Sequence, residues 1–368
     1  MEKAIAEQYA DFGPTLVQEM LAEREGIKLS VSTVRRLMIR AQQWKAKRGK
    51  GRHRAWRERR HCVGMMVQVD GSEHGWVEER GARCTLIVFV DDATGRIMEG
   101  SFEESEDTLT LMRLTRRYVE RRGRPVELYV ERDSIHRVNR AATIEEELRD
   151  EQAETQYVRA AKELGIVVRC ATSPHANGRV ERACETLQDR LVKELRLAGV
   201  SAREQGNAFL PGFLARYNQR CGVAPVDEAD VHRPLLKEDR LDEIVTLRTP
   251  RVVANDYTVR CRKRVFQLLK RQLVGVYPRL RIEVAIRLDG SMHLRHRGSY
   301  LNVKDITAAV RVCARARLGN RLVNSKREPA TCGFRARACK VRAKFLLTVN
   351  LLMCLMTPAH EDISIERN

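Results

Sequence analysis

The chain has 368 residues, 43% of them hydrophobic, which is enough for two or three domains with full cores and excludes a small disulfide-stapled scaffold. Its 68 Lys and Arg outnumber 49 Asp and Glu, leaving a formal net charge of +19. This excess favours a polyanionic partner, most simply nucleic acid, because neutralising phosphates releases counterions. Charge alone would also suit a ribosomal or membrane-surface protein.

Cysteine spacing and apolar runs predict a cytoplasmic protein without a membrane segment. The ten cysteines never fall in CxxC or another tight metal spacing, which favours reduced, buried thiols over a zinc module. The N-terminus has no apolar stretch of signal-peptide length. One late apolar run, 345–356, has only 12 residues, whereas a spanning helix needs roughly 20.

Residues 1–44 are predicted to form a helix-turn-helix that binds DNA. "PTLVQEMLAERE" and "TVRRLMIRAQQW", the latter capped by Ser30 or Ser32, are amphipathic and are joined by a turn containing glycine. The second helix could enter a major groove. An ordinary helical hairpin with solvated arginines is the alternative. The candidate DNA contacts are Arg35, Arg36 and Arg40.

Residues 45–62 are predicted to be a basic linker. "KAKRGKGRHRAWRERR" has nine Lys or Arg in sixteen residues and cannot form a core, so it would become ordered on a phosphate backbone. The alternative is a solvated charge run. The candidate DNA contacts here are Lys45, Lys47, Arg48, Lys50, Arg52 and Arg54.

Residues 63–235 predict a mixed α/β domain of the ribonuclease-H type. "MMVQVDGS", "CTLIVFVDDATGR" and "IMEGSFEES" are strand-like runs that suit an antiparallel meander. A helix, the strand "VELYV", a second helix, the strand "GIVVRC" and a long final helix follow. Short strands at regular spacing then predict a small β-barrel over 236–305. Residues 306–368 lack the periodicity of a domain, and we interpret them as an irregular, possibly aberrant tail.

Acidic residues at the ends of distant elements predict a metal site. Asp70 closes the first strand of the mixed domain, Glu131 or Asp133 follows the fourth, and Glu181 opens the last helix. In a ribonuclease-H-like sheet the first and fourth strands are neighbours, so these acids would converge and repel unless a cation neutralised them. Oxygen ligands suit Mg²⁺ or Mn²⁺, and paired ions support in-line phosphoryl transfer. Taken singly, each acid could be a turn or helix-capping residue.

Several motifs resemble the ISNCY-type bacterial insertion-sequence transposases, which share the integrase catalytic core. Among them are "DFGPTL", "VQVDGS", "CTLIVFVDDATGR", "SPHANGRVERACETLQDRLVKELRL" and "RLDGS", in order over about residues 8–304. The resemblance implies a DDE transposase that cuts element ends and joins 3′-hydroxyls to target DNA with divalent metal. It further implies a homo-oligomer on DNA that recognises terminal inverted repeats in a bacterial nucleoid.

Carried onto this sequence, the resemblance makes Asp70 the first acid and Glu181 the third. The second acid, an aspartate in the family, falls on Glu131, and Asp133 stands where the family has histidine. Three alternatives stay open for the second ligand: Glu131, Asp133, which would share a face with Glu131 if the strand continues, or neither. A degenerate transposase that only binds DNA, and an unrelated sequence-specific regulator, are the competing functions.

Residues near the acids have simpler predicted roles. Asp91 and Asp92 are expected to be turn residues between the second and third strands. Arg179 and Arg182 flank the third acid, where either a phosphate contact or a structural ion pair would suit them.

Overall fold

The computed structural model describes residues 8–45, 58–138, 153–171, 178–236, 238–269 and 275–310. The chain divides into two compact units, 1–306 and 307–368, and every element named below belongs to the first. The predicted linker contacts Lys47, Arg48, Lys50, Arg52 and Arg54, and the tail beyond residue 310, lie outside the described residues.

Two helices form the N-terminal part, as the sequence predicts. α1 (Pro14–Arg24) begins with proline, whose missing N–H costs nothing in a first turn, and α2 (Val31–Arg40) is capped by Ser30, whose Oγ accepts from the Thr33 N–H at 3.1 Å. Their apolar faces share one buried cluster. Recognition of DNA by α2 stays a prediction.

A five-stranded mixed sheet forms the centre of the molecule. Its strands are β1 (Met66–His74), β2 (Cys84–Asp91), β3 (Ile97–Glu103), β4 (Glu127–Val130) and β5 (Val167–Cys170). The order is β3-β2-β1-β4-β5, with β1–β2 and β2–β3 antiparallel and β1–β4 and β4–β5 parallel. The predicted meander and the predicted pairing of the first and fourth strands are therefore confirmed, and the sheet is ribonuclease-H-like.

Helices cover both faces of this sheet. α3 (Thr108–Arg122) and α4 (Gln156–Glu163) pack on one face, and α5 (Gly178–Leu197) and α6 (Arg203–Cys221) pack on the other. The alternation of side chains along the strands divides the core accordingly: Val67, Ile87 and Phe89 face α3, whereas Leu86 and Val88 face α5 and α6. The central strands are thus buried on both sides.

The C-terminal part of the first unit is a pair of small sheets. After a short helix α7 (Leu241–Ile244) come β6 (Thr246–Val252), β7 (Thr258–Cys261), β8 (Arg264–Leu268), β9 (Arg281–Arg287), β10 (Met292–His296), β11 (Ser299–Leu301) and β12 (Val303–Asp305). They form a four-stranded sheet, β11-β10-β9-β6, and a three-stranded sheet, β12-β8-β7, around one apolar cluster. Closure into a barrel stays a prediction.

Within the described part of the chain, no helix has the length and apolar character that crossing a bilayer requires. The apolar run 345–356 lies outside that part.

Candidate active site

Helix α5 is fixed against β1 by a ladder of polar contacts. Every fourth residue of a helix lies on about the same face, and every second residue of a strand points to the same side. Residues four apart on α5 can therefore contact residues two apart on β1. The contacts are Val180 N–H to Gln68 Oε1 at 3.1 Å, Cys184 Sγ to Asp70 Oδ2 at 3.8 Å, and Gln188 Nε2 to Ser72 Oγ at 2.8 Å. The Asp70 carboxylate therefore points at the first turns of α5.

Asp70 lies in the middle of β1 and not at its end, as the sequence predicted, because the strand continues through Gly71 to His74. It is at the centre of a group of carboxylates. Burial, and after it the negative charge of Glu131, raises the pKa of Asp70 to about 7, with a smaller contribution from Glu181. Hydrogen bonds from the Gly71 backbone and the Cys184 thiol oppose this rise. Glu181 precedes Cys184 by one helical turn on α5. The structure thus brings Asp70, Glu131 and Glu181 within electrostatic reach of one another.

The two candidates for the second acid have different surroundings. β4 ends at Val130, so Glu131 follows the strand directly and is exposed. Asp133 lies in the loop beyond, where its Oδ1 accepts from the N–H groups of Ile135 at 3.0 Å and His136 at 3.1 Å. Because the strand does not continue, the condition under which Asp133 would share a face with Glu131 is not met. Asp133 instead shapes the loop.

A fourth carboxylate, Glu106, belongs to the same group and was missed by the sequence analysis. It lies two residues before α3, and a Cβ atom built on Gly71 would be only 1.9 Å from its Oε2 atom. Burial, followed by the charges of Asp133, Asp70 and Glu131, raises the pKa of Glu106 to about 7. The one signal available in the sequence was the glycine directly after Asp70, which leaves room for a neighbouring group.

The donor chemistry of these residues fits a hard divalent cation. Carboxylate oxygens are the ligands Mg²⁺ and Mn²⁺ prefer. Burial and, after it, mutual repulsion raise the pKa values of Asp70 and Glu106, and a cation would relieve the repulsion. In the part of the chain that the structure describes, no group of three or more His, Cys, Asp or Glu is arranged to hold a metal ion as it stands.

Asp91 and Asp92 are structural, as the turn prediction requires. Asp92 is fully buried and accepts from Arg179 Nη1 at 2.6 Å and Gln68 Nε2 at 2.7 Å. Asp91 accepts from the backbone N–H groups of Gly64 and Thr94 at 3.0 and 2.9 Å. These bonds hold the β2–β3 turn against β1.

The predicted DNA-contacting residues differ in how far their side chains are exposed to solvent. Of the two roles left open for Arg179, the structure shows the ion pair, with its side chain only 11% exposed. Arg182, by contrast, is exposed and donates to the Gly178 carbonyl at 2.8 Å. Four further predicted contacts are exposed on or just after α2: Arg35, Arg36, Arg40 and Lys45. Contact of any of these with DNA stays a prediction.

Comparison with known proteins finds transposases. A Sinorhizobium fredii protein named "Putative transposase y4bF" is 40% identical over 302 residues, covering 81% of this chain and 64% of that protein. The transposase for insertion sequence IS1202 of Streptococcus pneumoniae is 27% identical over 250 residues, covering 58% of this chain and 52% of the relative. The chain thus spans between about half and two thirds of the length of these relatives. No protein-family model matches it.

Solved structures with a similar arrangement are retroviral integrases. A magnesium complex of the HTLV-2 integrase catalytic core is 13% identical with a TM-score of 0.31, covering 45% of this chain and 92% of that one. A simian T-cell lymphotropic virus intasome in complex with the PP2A regulatory subunit B56 gamma is 11% identical with a TM-score of 0.35, covering 74% and 91%. The fold assignment depends on the strand order and strand directions of the central sheet.

Proposed function

We propose that this chain is a DNA transposase that cuts element ends and joins their 3′-hydroxyls to target DNA by metal-dependent phosphoryl transfer. The observation that carries the proposal is that Asp70, on the central strand of a ribonuclease-H-like sheet, lies within electrostatic reach of Glu131 and Glu181. The 40% identical relative named as a transposase supports the same conclusion. Activity, DNA substrates and assembly are all part of the proposal.

The metal ligands in this proposal are Asp70, Glu131 and Glu181, with Glu106 beside Asp70. When bound, a pair of Mg²⁺ or Mn²⁺ ions supplies charge stabilisation for in-line displacement at phosphorus. The contribution of the chain is positional: the β1–α5 ladder sets Asp70 against the first turns of α5, and the Cys184 thiol orients the Asp70 carboxylate. Arg182, exposed directly after Glu181, is suited to hold a phosphate.

The test is strand transfer by the purified full chain on linear DNA ending in the terminal repeat of the element, with Mg²⁺ or Mn²⁺. Asp70→Asn should reduce joining by at least about 100-fold, the effect of losing a group that stabilises transition-state charge. Asp189→Asn is a matched control, because Asp189 is an exposed acid of α5 paired with Lys193. Unchanged joining by Asp70→Asn would overturn the mechanism.

A second candidate function is a degenerate transposase that binds DNA without cutting it. It is favoured by one observation: Glu131, exposed and one methylene longer than the aspartate of the resembling family, occupies the second acid position. Mg²⁺ tolerates little distortion of its octahedral shell. Binding that is unchanged in chelator, with no joining by the wild type but joining by Glu131→Asp, would support this candidate.

Asp133→Asn separates the two possible second acids. An asparagine side-chain oxygen can still accept from the Ile135 and His136 N–H groups, so the loop should keep its shape while the carboxylate charge is removed. With Glu131 as the ligand, Asp133→Asn retains activity and Glu131→Gln abolishes it. The reverse pattern would make Asp133 the second acid.

The DNA partner in this proposal is the pair of terminal inverted repeats together with target DNA, bound by a homo-oligomer. α2 carries the exposed arginines suited to end recognition. Sedimentation of the chain with and without a repeat-ended duplex tests the assembly, and a monomer on DNA at concentrations that support joining would contradict it.

A further inference from the structure

One glutamine of β1 is fully buried between the central sheet and α5. Val67 and Val69 point to the other side of the strand, into the apolar cluster against α3, whereas Gln68 points to α5. A buried amide costs free energy unless it is hydrogen-bonded, and an apolar side chain of the same length would fill the space without that cost. The amide of Gln68 therefore indicates a role beyond filling space.

Both ends of the Gln68 amide are used, and they join two different elements. Oε1 accepts from the Val180 N–H at 3.1 Å, and Nε2 donates to Asp92 Oδ1 at 2.7 Å. An ionised carboxylate at this position could make only the first of these bonds, and a methionine could make neither. Gln68 thus connects the first turn of α5 to the turn that follows β2.

Asp92 holds the same turn of α5 through a second contact. Its Oδ1 also accepts from Arg179 Nη1 at 2.6 Å, and its Oδ2 accepts from the Arg60 N–H at 2.9 Å. Charge-assisted bonds of this kind are strong and fix the position of a buried carboxylate. The two residues before Glu181 are therefore both bonded to the core, Arg179 through its side chain and Val180 through its backbone.

Glu181 lies in the part of α5 that helical bonds hold least. The first four N–H groups of an α-helix have no partner within the helix, and helix ends fray for this reason. Val180 and Glu181 are the third and fourth residues of α5. The bond from Val180 to Gln68 takes the place of a missing helical bond directly beside Glu181. Groups around a metal ligand that fix its orientation in this way strongly affect metal affinity.

We propose that Gln68 is a positioning residue for Glu181, and that it acts with Asp92 and Arg179 to hold the first turn of α5 in place for metal binding. The inference rests on the proposed function, in which Glu181 is a metal ligand. It goes further by giving three residues outside the ligand set the task of keeping Glu181 near Asp70.

The first measurement is backbone amide hydrogen exchange of the full chain, without metal or DNA. Gln68→Met keeps the length of the side chain and removes both of its hydrogen bonds. Exchange at Val180 should become about 10-fold faster, on the order expected for the loss of one buried hydrogen bond. Gln156→Met is the matched control, because Gln156 Oε1 also accepts from a backbone N–H, that of Arg248 at 2.8 Å, between α4 and β6. It should leave exchange at Val180 unchanged.

The second measurement is Mn²⁺ binding by the same proteins, from the loss of the free-ion paramagnetic resonance signal. The dissociation constant should rise by about 10- to 100-fold in Gln68→Met, the range found when groups that orient metal ligands are removed. It should stay unchanged in Gln156→Met. A general loss of stability would not separate the two variants in this way, and urea unfolding of each measures that loss.

Arg179 provides an independent pair of variants. Arg179→Met removes the charged group that bonds to Asp92 Oδ1 and should also weaken Mn²⁺ binding. Arg179→Lys keeps the charge and should restore most of the affinity. Because DNA is absent, a phosphate contact by Arg179 does not enter this comparison. If Gln68→Met does not fold, this pair decides the question.

Equal Mn²⁺ affinities for wild type and Gln68→Met, or unchanged exchange at Val180, would overturn the inference. Equal affinities for wild type and Arg179→Met would do the same where Gln68→Met does not fold. A wild type that binds no Mn²⁺ would instead contradict the proposed function, and the inference with it.

Discussion

At the scale of single residues, the space beside Asp70 is the feature that most constrains the site. Because Gly71 has no side chain, the Glu106 carboxylate occupies the space beside it. Glu106 Oε2 lies only 1.9 Å from the position that a Cβ atom on residue 71 would take. Gly71→Ala should therefore force this side chain away, at a small cost because the carboxylate is the flexible end of its side chain.

A double-mutant cycle on the free energy of unfolding tests this arrangement. Gly71→Ala should lower the free energy of unfolding more in wild type than in a Glu106→Ala background. The difference, the coupling energy, should be about 0.5 to 3 kcal/mol, as for other residues in contact. Identical costs in the two backgrounds would mean that Glu106 does not occupy the space beside Gly71.

The raised pKa of Asp70 predicts how stability depends on pH. Its pKa of about 7 in the folded chain, against an ordinary value of 3.8, means that the folded state binds more protons between those values. In metal-free solution the free energy of unfolding should therefore fall as pH rises from about 4 to about 7. Glu106, with its pKa raised in the same direction, adds to the trend.

Asp70→Asn should weaken this dependence and raise the thermal midpoint at pH 8 in chelator. A gain of at least about 2 °C is expected, since each kcal/mol corresponds to about 2 to 4 °C in a protein of this kind. Thermal unfolding at pH 5 and pH 8 measures both effects. A lower midpoint than wild type at pH 8, with the pH dependence intact, would contradict the raised pKa.

Sequence patterns could predict part of this site and no more. Glu181 lies in the first turn of α5, as predicted, and Asp70 lies on the predicted strand, although in its middle and not at its end. Glu106 depends on a loop contact that has no period. Whether Asp133 shares a face with Glu131 depends on where β4 ends, which the letters "VERDS" do not determine.

At the scale of elements, α6 protects the open edge of the central sheet. β3 is an edge strand, and two asparagines three turns apart on α6 each bond both backbone groups of one of its residues. Asn207 accepts from Phe102 N–H at 2.8 Å and donates to its carbonyl at 2.8 Å, and Asn218 does the same for Ile97 at 2.7 and 2.8 Å. An edge strand left unpaired invites association with another chain.

Asn218→Ala and Asn207→Ala should each lower the free energy of unfolding by about 1 to 3 kcal/mol, the cost of leaving backbone groups without partners. Concentration-dependent light scattering should rise for both variants. Asn255→Ala, in an exposed turn, is the control and should change neither quantity. If scattering and stability match the control, the asparagines do not protect the edge.

Helix α6 itself was not predicted, and the reason is physical. Gly206, Pro211 and Gly212 lie within its 19 residues and would disfavour an isolated helix. Packing overrides this preference: a Cβ atom on Gly206 would be 3.0 Å from the Phe102 ring, so the glycine allows α6 to approach β3 closely.

The N-terminal helices are attached to the helix that carries the third acid. Glu19 of α1 accepts from Arg190 of α5 at 2.6 and 3.0 Å and from Arg220 of α6 at 2.9 Å. Asp11 accepts two bonds of 2.9 Å from Arg196, also on α5. The predicted DNA-reading unit is thus held in place by partly buried ion pairs.

Glu19→Ala should lower the free energy of unfolding by about 1 to 2 kcal/mol, because it leaves two arginines without their shared carboxylate. Glu204→Ala is the control, since its pair with Arg203 is exposed and its loss is expected to cost less than the loss of Glu19. Denaturant unfolding of both variants makes the comparison. Equal losses would mean that Glu19 contributes no more than an exposed pair.

At the scale of the whole molecule, the order of strand and helix patterns was enough to predict the central sheet. Runs with period two, followed by alternating helical and apolar segments, allowed few other topologies. The small sheets were predicted as strands, but their division into groups of four and three depends on pairings over long distances that turn spacing does not specify. Net charge predicted a nucleic-acid partner but does not indicate which surface binds it.

The central claim is that carboxylates from β1, the end of β4 and α5 together hold divalent metal. Titration of the full chain with Mn²⁺, followed by the loss of the free-ion paramagnetic resonance signal, tests it directly. Wild type and Asp189→Asn should bind the ion alike, and Asp70→Asn and Glu181→Gln should each lose that binding. Equal binding by all four proteins would contradict the account.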